Sequence, residues 1–580
     1  MKDLEKNFAG NKSVNDLQSV VSRHTDEYNL SVARSNPIYS HDLDPDHQLK
    51  KDLKSREISM IALGGSIGTG LLISTGTSLK TGGAGSMFIA YTFIGLVIYA
   101  VMTAIGEVAT FIVLPGGFTS YAKRYCSSSL GVAVGYVYLI KYLILPPNQA
   151  TSFYLVINFW NNDRISPGVF ITIILVVITL INLFGVKLFG QVEFWLSCFK
   201  VVTCTGLIIL LLIIALGGGP DGDRRGFRYW QDPGAFLEYS NSAKNLTIDG
   251  SKGKFVSFVS LLVTAVFAYT GTELAVIVFA EAARPRKSIP KAIKLTLYRI
   301  IFFYVFSILF LGMCVNPKDK LLLGASGTDA SASPFVIAIK NAKIKILDHI
   351  INACILVFVF SAANSDMYIC SRTIYGLAIE GYAPKIFAKT NKIGVPIYGI
   401  LLSFLFCCLA FMSLSSSSAE VFSYFVNVVS LAGLIAWFSV LLIHIRFMAA
   451  LKAQGIPRSS LSYTAPLQPY LSYGAITVCT IIILIKNFTA FLGDTFDYKG
   501  FITGYIILPV FVLTFLIHKI IYKTKFWKAH EIDLVTHLDV IEAEEEVFAA
   551  KEAEEHAIWE AEGKPKNAAW WYEKIFGWIF

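Results

Sequence analysis

Long apolar runs separated by short polar breaks fill the chain from about residue 58 to residue 522. Val169–Leu183, Val201–Leu216, Phe255–Phe267 and Ile301–Val315 are nearly unbroken examples. A helix rises about 1.5 Å per residue, so roughly 20 apolar residues cross the ~30 Å hydrocarbon core of a bilayer. Only helices and closed barrels satisfy every backbone polar group in lipid, and these runs are too long and uniform for barrel strands. The pattern predicts an all-α membrane protein with about twelve transmembrane helices. The first six spans are placed at 58–80, 87–113, 131–159, 168–186, 194–217 and 255–281. The second six fall at 293–315, 343–370, 396–413, 419–448, 470–492 and 501–522.

This divides the chain into an arm (1–54), a twelve-helix core (55–525) and a tail (526–580). The arm, rich in Ser, Asn, Asp and His, is predicted to be disordered. In the tail, the Glu- and Ala-rich stretch Glu542–Glu562 predicts a solvated helix. Trp570, Trp571, Tyr572, Phe576, Trp578 and Phe580 follow it and suit an interfacial anchor or a patch docking on the cytosolic face.

Composition agrees with a membrane chain: 54% of residues are hydrophobic, 16% are charged and the mean hydropathy is +0.57. The net charge of +9 does not point to nucleic acid, because Lys and Arg gather at the ends of apolar runs. Lys50, Lys51, Lys54 and Arg56 precede the first span; Lys123 and Arg124 follow the second. Arg284, Arg286 and Lys287 follow the sixth, Arg372 and Lys385 the eighth, and Arg446, Lys452 and Arg458 the tenth. With twelve spans all of these share one side, which predicts cytosolic termini. The longest loop of the other side, Gly217–Lys254, mixes basic residues with Asp221, Asp223, Asp232, Glu238 and Asp249 and carries the sequon Asn245–Leu246–Thr247. Nine cysteines form no CxxC pair or Cys/His cluster, so neither disulfides, a metal nor another cofactor is expected. The polar N-terminal stretch has no signal-peptide core. Its exposed Lys2, Lys6 and Lys12 are candidate acceptors for ubiquitin-ligase regulation.

Two spans carry interruptions that an ordinary membrane helix avoids. Gly64–Gly65–Ser66–Ile67–Gly68–Thr69–Gly70 lies within the first, and glycine costs about 1 kcal/mol relative to alanine inside a helix. Phe267–Ala268–Tyr269–Thr270–Gly271–Thr272–Glu273 lies within the sixth. Irregular backbone at membrane depth survives only where protein buries it or where it lines a cavity. Free N–H groups at such a break suit a carboxylate, and free carbonyls suit an ammonium; an α-amino acid carries both. Close helix packing through Gly64 and Gly68 is the alternative account of the first segment.

Four ionisable residues stand inside spans: Glu107, Lys141, Lys200 and Glu273. Glu273 follows the break of the sixth span and suits a proton-exchanging carboxyl or a fixed structural one. Lys141 lies among Tyr138, Tyr142 and the Pro146–Pro147 pair, which predicts a distorted helix. It suits either the side-chain carboxylate of a bound Asp or Glu or an ion pair with Glu107. Lys200, early in its span, reads most simply as a lysine snorkelling to the interface. No nucleophile–base set suggests an enzyme.

The order Gly65–Ser66–Ile67–Gly68–Thr69–Gly70, Thr270–Gly271–Thr272–Glu273 and Asn364–Ser365–Asp366–Met367–Tyr368–Ile369–Cys370–Ser371–Arg372 resembles the fungal amino-acid permeases. These belong to the amino acid–polyamine–organocation superfamily. The likeness runs from about Lys50 to Phe580 and is strongest toward the dicarboxylic amino acid permeases of yeasts, through Lys141–Gln149, Gly226–Trp230, Lys486–Thr489 and Trp571–Phe576. Gly116–Gly117 after Pro115 departs slightly from the pattern. The resemblance implies an inverted five-plus-five helix repeat with broken first and sixth helices, plus two peripheral helices. It implies proton symport of acidic amino acids at the plasma membrane. It places the substrate carboxylate at the N–H groups of Gly68, Thr69 and Gly70, beside Ile67. The ammonium falls to carbonyls of Ser66, Phe267 and Thr270, with Ala268, Gly271 and Thr272 nearby and Phe267 a gate. Glu273 and Lys200 match positions linked to proton coupling, with Glu107 a further candidate, and a lysine at the usual cation position argues against sodium. A broader or neutral amino-acid permease and a non-transporting sensor of the same fold are the alternatives.

Overall fold

Apolar runs that must bond their own backbone become helices, and the computed structural model is helical almost throughout. It describes residues 67–114, 117–161, 164–241, 246–273, 285–323, 333–415, 418–536 and 538. Ser66, the arm 1–54, Asn245 of the sequon and the aromatic end of the tail lie outside the described residues.

The helices in chain order are α1 Thr69–Leu72, α2 Ser74–Phe111, α3 Phe118–Tyr125, α4 Ser128–Asn161, α5 Pro167–Leu183 and α6 Val186–Ala215. A short hairpin, β1 Tyr239–Asn241 with β2 Leu246–Ile248, precedes α7 Gly250–Tyr269. Next come α8 Pro285–Arg299, which passes through a wider turn (Ile300–Phe306) into α9 Ser307–Cys314, then α10 Lys320–Leu323 and α11 Pro334–Asn341. The chain continues with α12 Leu347–Ile379, α13 Ile397–Cys407, α14 Ser418–Ala453, α15 Tyr470–Ile485, α16 Tyr498–Tyr505 and α17 Ile507–Tyr522.

Among the described residues, nine helices are long and apolar enough to cross a bilayer, or ten if α16 and α17, bent by 41°, form one span. The expectation of about twelve exceeds this count. The two differ at α5, a shorter apolar helix of 17 residues, and at α2, whose 38 residues run past an interruption at Gly83 (φ 80°, ψ 174°). Residues 235–237, just before β1, fill that interruption: Gly85 N–H donates to Ala235 O (2.8 Å) and Leu237 N–H to Gly82 O (3.0 Å). Backbone groups freed by the bend are therefore paired rather than left in a dry interior.

Burial sorts the helices. α4 packs along α12 and α14, and α2 along α7, forming the centre. The rim shows one-sided faces. On α5, Ile171, Ile174, Leu175 and Ile178 point inward, while Val169, Ile173, Val176 and Leu180 are exposed. Both faces are apolar, as a helix between protein and lipid requires. The Pro146–Pro147 pair does not break α4, which stays one helix through both. The two prolines withdraw the N–H donors that would bond Tyr142 and Leu143 carbonyls, so the distortion is confined to lost hydrogen bonds.

Glu107, fully buried on α2, is held by Arg458 (Nε to Oε1, 2.5 Å; Nη2 to Oε2, 2.7 Å), by Ala465 N–H (2.9 Å) and by His444 Nε2 (3.1 Å). Its partner is thus an arginine and a histidine from the α14 side, and the expected pairing with Lys141 or another helix lysine does not occur. Arginine suits this position because its fork meets both carboxylate oxygens at once. On the same side of the bundle, Lys123 donates to Glu380 (2.6 Å) and Arg124 donates to Asp533 O (2.7 Å).

Two outcomes are expected. A Cβ at Gly70 would stand 2.5 Å from Ala268 Cα, whereas one at Gly68 meets Ala362 Cβ at an ordinary 3.6 Å. Gly70→Ala should therefore lower the melting temperature of the detergent-solubilised protein by several degrees more than Gly68→Ala; equal shifts for the two would refute the close packing of α1 on α7. Glu107→Ala and Arg458→Ala should each lower the melting temperature of the detergent-solubilised protein. Their double mutant should show a coupling of about 0.5–3 kcal/mol, and strict additivity would contradict the bidentate pair.

Candidate functional site

Where α1 begins and α7 ends, their backbones face each other beside α4 and α12. Gly68 and Ile67 precede the single turn of α1, whose first N–H groups have no preceding turn to bond. α7 ends at Tyr269; Thr270 takes an extended conformation, and Gly271 has φ 98°, a left-handed value that favours glycine. The residues closing this end are capped locally. Thr270 Oγ1 donates to Phe267 O (2.6 Å), Thr272 Oγ1 to Tyr269 O (2.9 Å), and Tyr304 OH to Ala268 O (3.1 Å).

A small cavity opens between the two segments. Gly68, Thr69 and Gly70 line one wall, and Phe267, Ala268, Thr270 and Gly271 line another. Leu145 and Gln149 of α4 and Ala362 and Asp366 of α12 complete it. Seven residues named from the sequence thus meet around one space. Ile67 and Thr272 are buried next to it in the packing without lining it. Phe267 packs edge-on against Phe422 at 6.0 Å between ring centres.

Lys141 does not line the cavity. Its ammonium is paired with the Glu273 carboxylate, both side chains being buried. The ammonium also lies 5.4 Å and 5.0 Å from the ring centres of Tyr138 and Tyr142. Glu273 Oε2 accepts from Trp437 Nε1 (3.3 Å). The pair therefore ties the turn after α7 to α4 and α14. Two aromatic faces and one indole N–H offset part of the cost of taking the charges out of water.

Lys200 on α6 is fully buried, so it does not snorkel to the interface as its sequence position suggests. It faces inward because α6 packs that side against α12, where the carboxylates of Glu193 and Asp366 act on it. Glu193, also buried, accepts from Ser361 Oγ (2.6 Å). Glu107 stands apart from the cavity in its arginine–histidine clamp.

Sequence reasoning misses Asp366, Gln149 and Glu193. Asp366 and Glu193 carry the same signal as the four candidates above, an ionisable side chain in or beside an apolar run. Gln149 has no charge to flag it. In the structure it bridges two walls: Thr69 Oγ1 donates to Gln149 Oε1 (3.1 Å), and Gln149 Nε2 donates to Asp366 Oδ2 (3.0 Å).

The amino acid permease family profile matches residues 57–531. The chain is 56% identical over 540 residues to a dicarboxylic amino acid permease of Saccharomyces cerevisiae, covering 93% of this chain and 88% of that protein. It is 40% identical over 523 residues to a lysine-specific permease of the same yeast, covering 90% and 82%. A proline-specific permease, again of S. cerevisiae, is 39% identical over 520 residues, covering 87% and 81%. The apolar spans and this match over most of the chain agree: the protein is a multi-pass membrane transporter, not an enzyme, and belongs to the amino acid permease family.

Proposed function

We propose that the protein takes up acidic amino acids, glutamate and aspartate, together with protons across the plasma membrane. The reading includes cytosolic termini, first and sixth helices broken at a midplane site, and inverted five-helix halves that rock to expose the site to each side in turn. The single observation that carries the coupling is the buried Lys141–Glu273 pair beside the cavity. The name of the 56%-identical yeast relative supports the substrate class.

The pair supplies a mechanism by exchange. An amino acid entering the cavity sets its α-carboxylate against the N–H groups of Gly68, Thr69 and Gly70. Its side-chain carboxylate then takes the Lys141 ammonium from Glu273. A buried carboxylate left without its cation costs several kcal/mol, so Glu273 binds a proton as the substrate arrives. Substrate and proton thus load together, and the loaded state carries no unpaired buried charge. Lys200, buried where α6 meets α12, contributes a second fixed positive charge close to the site. Phe267, against Phe422, is the gate over the cavity.

The test is uptake of labelled glutamate into vesicles with an imposed proton gradient. The native chain should accumulate glutamate only with the gradient. Lys141→Ala should lose acidic substrates by at least about a hundredfold, the scale of one buried charge partner, while keeping some neutral uptake. Normal glutamate transport by Lys141→Ala would leave Lys141 a structural partner of Glu273 and overturn the exchange.

A further inference from the structure

The cavity has one ionisable lining residue among those described, Asp366 of α12. A bound amino acid brings an ammonium that must lose its water, and a buried cation is tolerated only when paired. Two carbonyls on the α7 side are already engaged. Phe267 O accepts from both Thr270 N–H (3.1 Å) and Thr270 Oγ1 (2.6 Å), and Ala268 O accepts from Tyr304 OH. Asp366 differs. It is 6% exposed, and its side chain takes one hydrogen bond, from Gln149 Nε2 to Oδ2, which leaves Oδ1 open to an incoming donor. Lys141 is paired with Glu273, and both Lys141 and Lys200 act on Asp366 electrostatically.

From this geometry we infer that Asp366 is the anionic partner of the substrate's α-ammonium and that Gln149 holds its carboxylate in place for that contact. The inference rests on the amino-acid transport reading and extends it, because it assigns each charged group of an acidic amino acid its own receptor. Backbone N–H groups take the α-carboxylate, Lys141 takes the side-chain carboxylate, and Asp366 takes the ammonium. The Thr69–Gln149–Asp366 chain adds a consequence. Gln149 joins the α1 segment to α12, so an ammonium arriving at Asp366 is felt at Thr69, across the cavity. Asp366 also sets a selectivity. A dicarboxylate without an amino group would place no cation against it and would meet its negative charge unscreened.

The test compares glutamate with glutarate, the same dicarboxylate without the ammonium, as competitors of labelled glutamate uptake by the full chain in proteoliposomes. In the native protein glutarate should compete about a hundredfold more weakly than glutamate. In Asp366→Asn, shown to be folded by size-exclusion chromatography, the apparent affinity for glutamate should fall to that of glutarate, while Asp366→Glu keeps a preference for glutamate. Glutarate competing as well as glutamate in the native protein would overturn the assignment even if both variants misfolded. So would an undiminished glutamate preference in folded Asp366→Asn. If the native chain carries a different amino acid, the acidic-substrate reading fails by itself. The same comparison of that amino acid with its des-amino analogue then decides Asp366.

Discussion

A peptide N–H or carbonyl left unpaired in hydrocarbon costs several kcal/mol, and this chain departs from regular helix at Gly83 and after Tyr269. Each interruption is met by a specific partner. Ala235 and Leu237 bond the backbone around Gly83; Thr270 and Thr272 turn their hydroxyls back onto the end of α7; Tyr304 reaches Ala268 O.

The same constraint governs the charges. Taking an ion pair into the interior seldom stabilises a fold, whereas removing one member of such a pair costs about 3–5 kcal/mol. Two buried constellations therefore deserve different readings. Glu107 is saturated by a bidentate arginine, a histidine and a backbone N–H, an arrangement that fixes the loop carrying Arg458 and Ala465 onto α2. Among the described residues, Glu273 meets one lysine and one indole N–H, and the lysine lies against two aromatic faces. On the mechanism proposed above, this is the partnership that a substrate carboxylate would exchange.

Glycine and small residues bring the two facing segments to close range. Gly70 lets α1 approach the backbone of α7 to a distance no side chain tolerates, and Gly271 supplies a left-handed turn just before Glu273. Both positions put main-chain dipoles where a ligand's charged groups can meet them without long side chains intervening. The scaffold helices α4 and α12 contribute the side chains that complete the cavity, so its two halves belong to different packing units.

Most helix positions were legible in the linear pattern, because a span needs only length and uniform apolarity. The predicted 131–159 and 419–448 fall within α4 and α14, and 470–492 matches Tyr470–Phe491 to one residue. The glycine-rich and Thr270–Glu273 segments were legible for a related reason: residues unsuited to a membrane helix are conspicuous in one. Partnership was not legible. Lys141 read as a partner of a bound substrate's carboxylate or of Glu107, and only the tertiary packing brought Glu273 to it. Lys200 faced inward because of which side of α6 meets α12, and Asp366 reached the cavity because α12 crosses beside α1. Hydropathy acts residue by residue and is carried by the sequence alone. Charge pairing depends on distances between helices far apart in the chain, and those exist only once the bundle has packed.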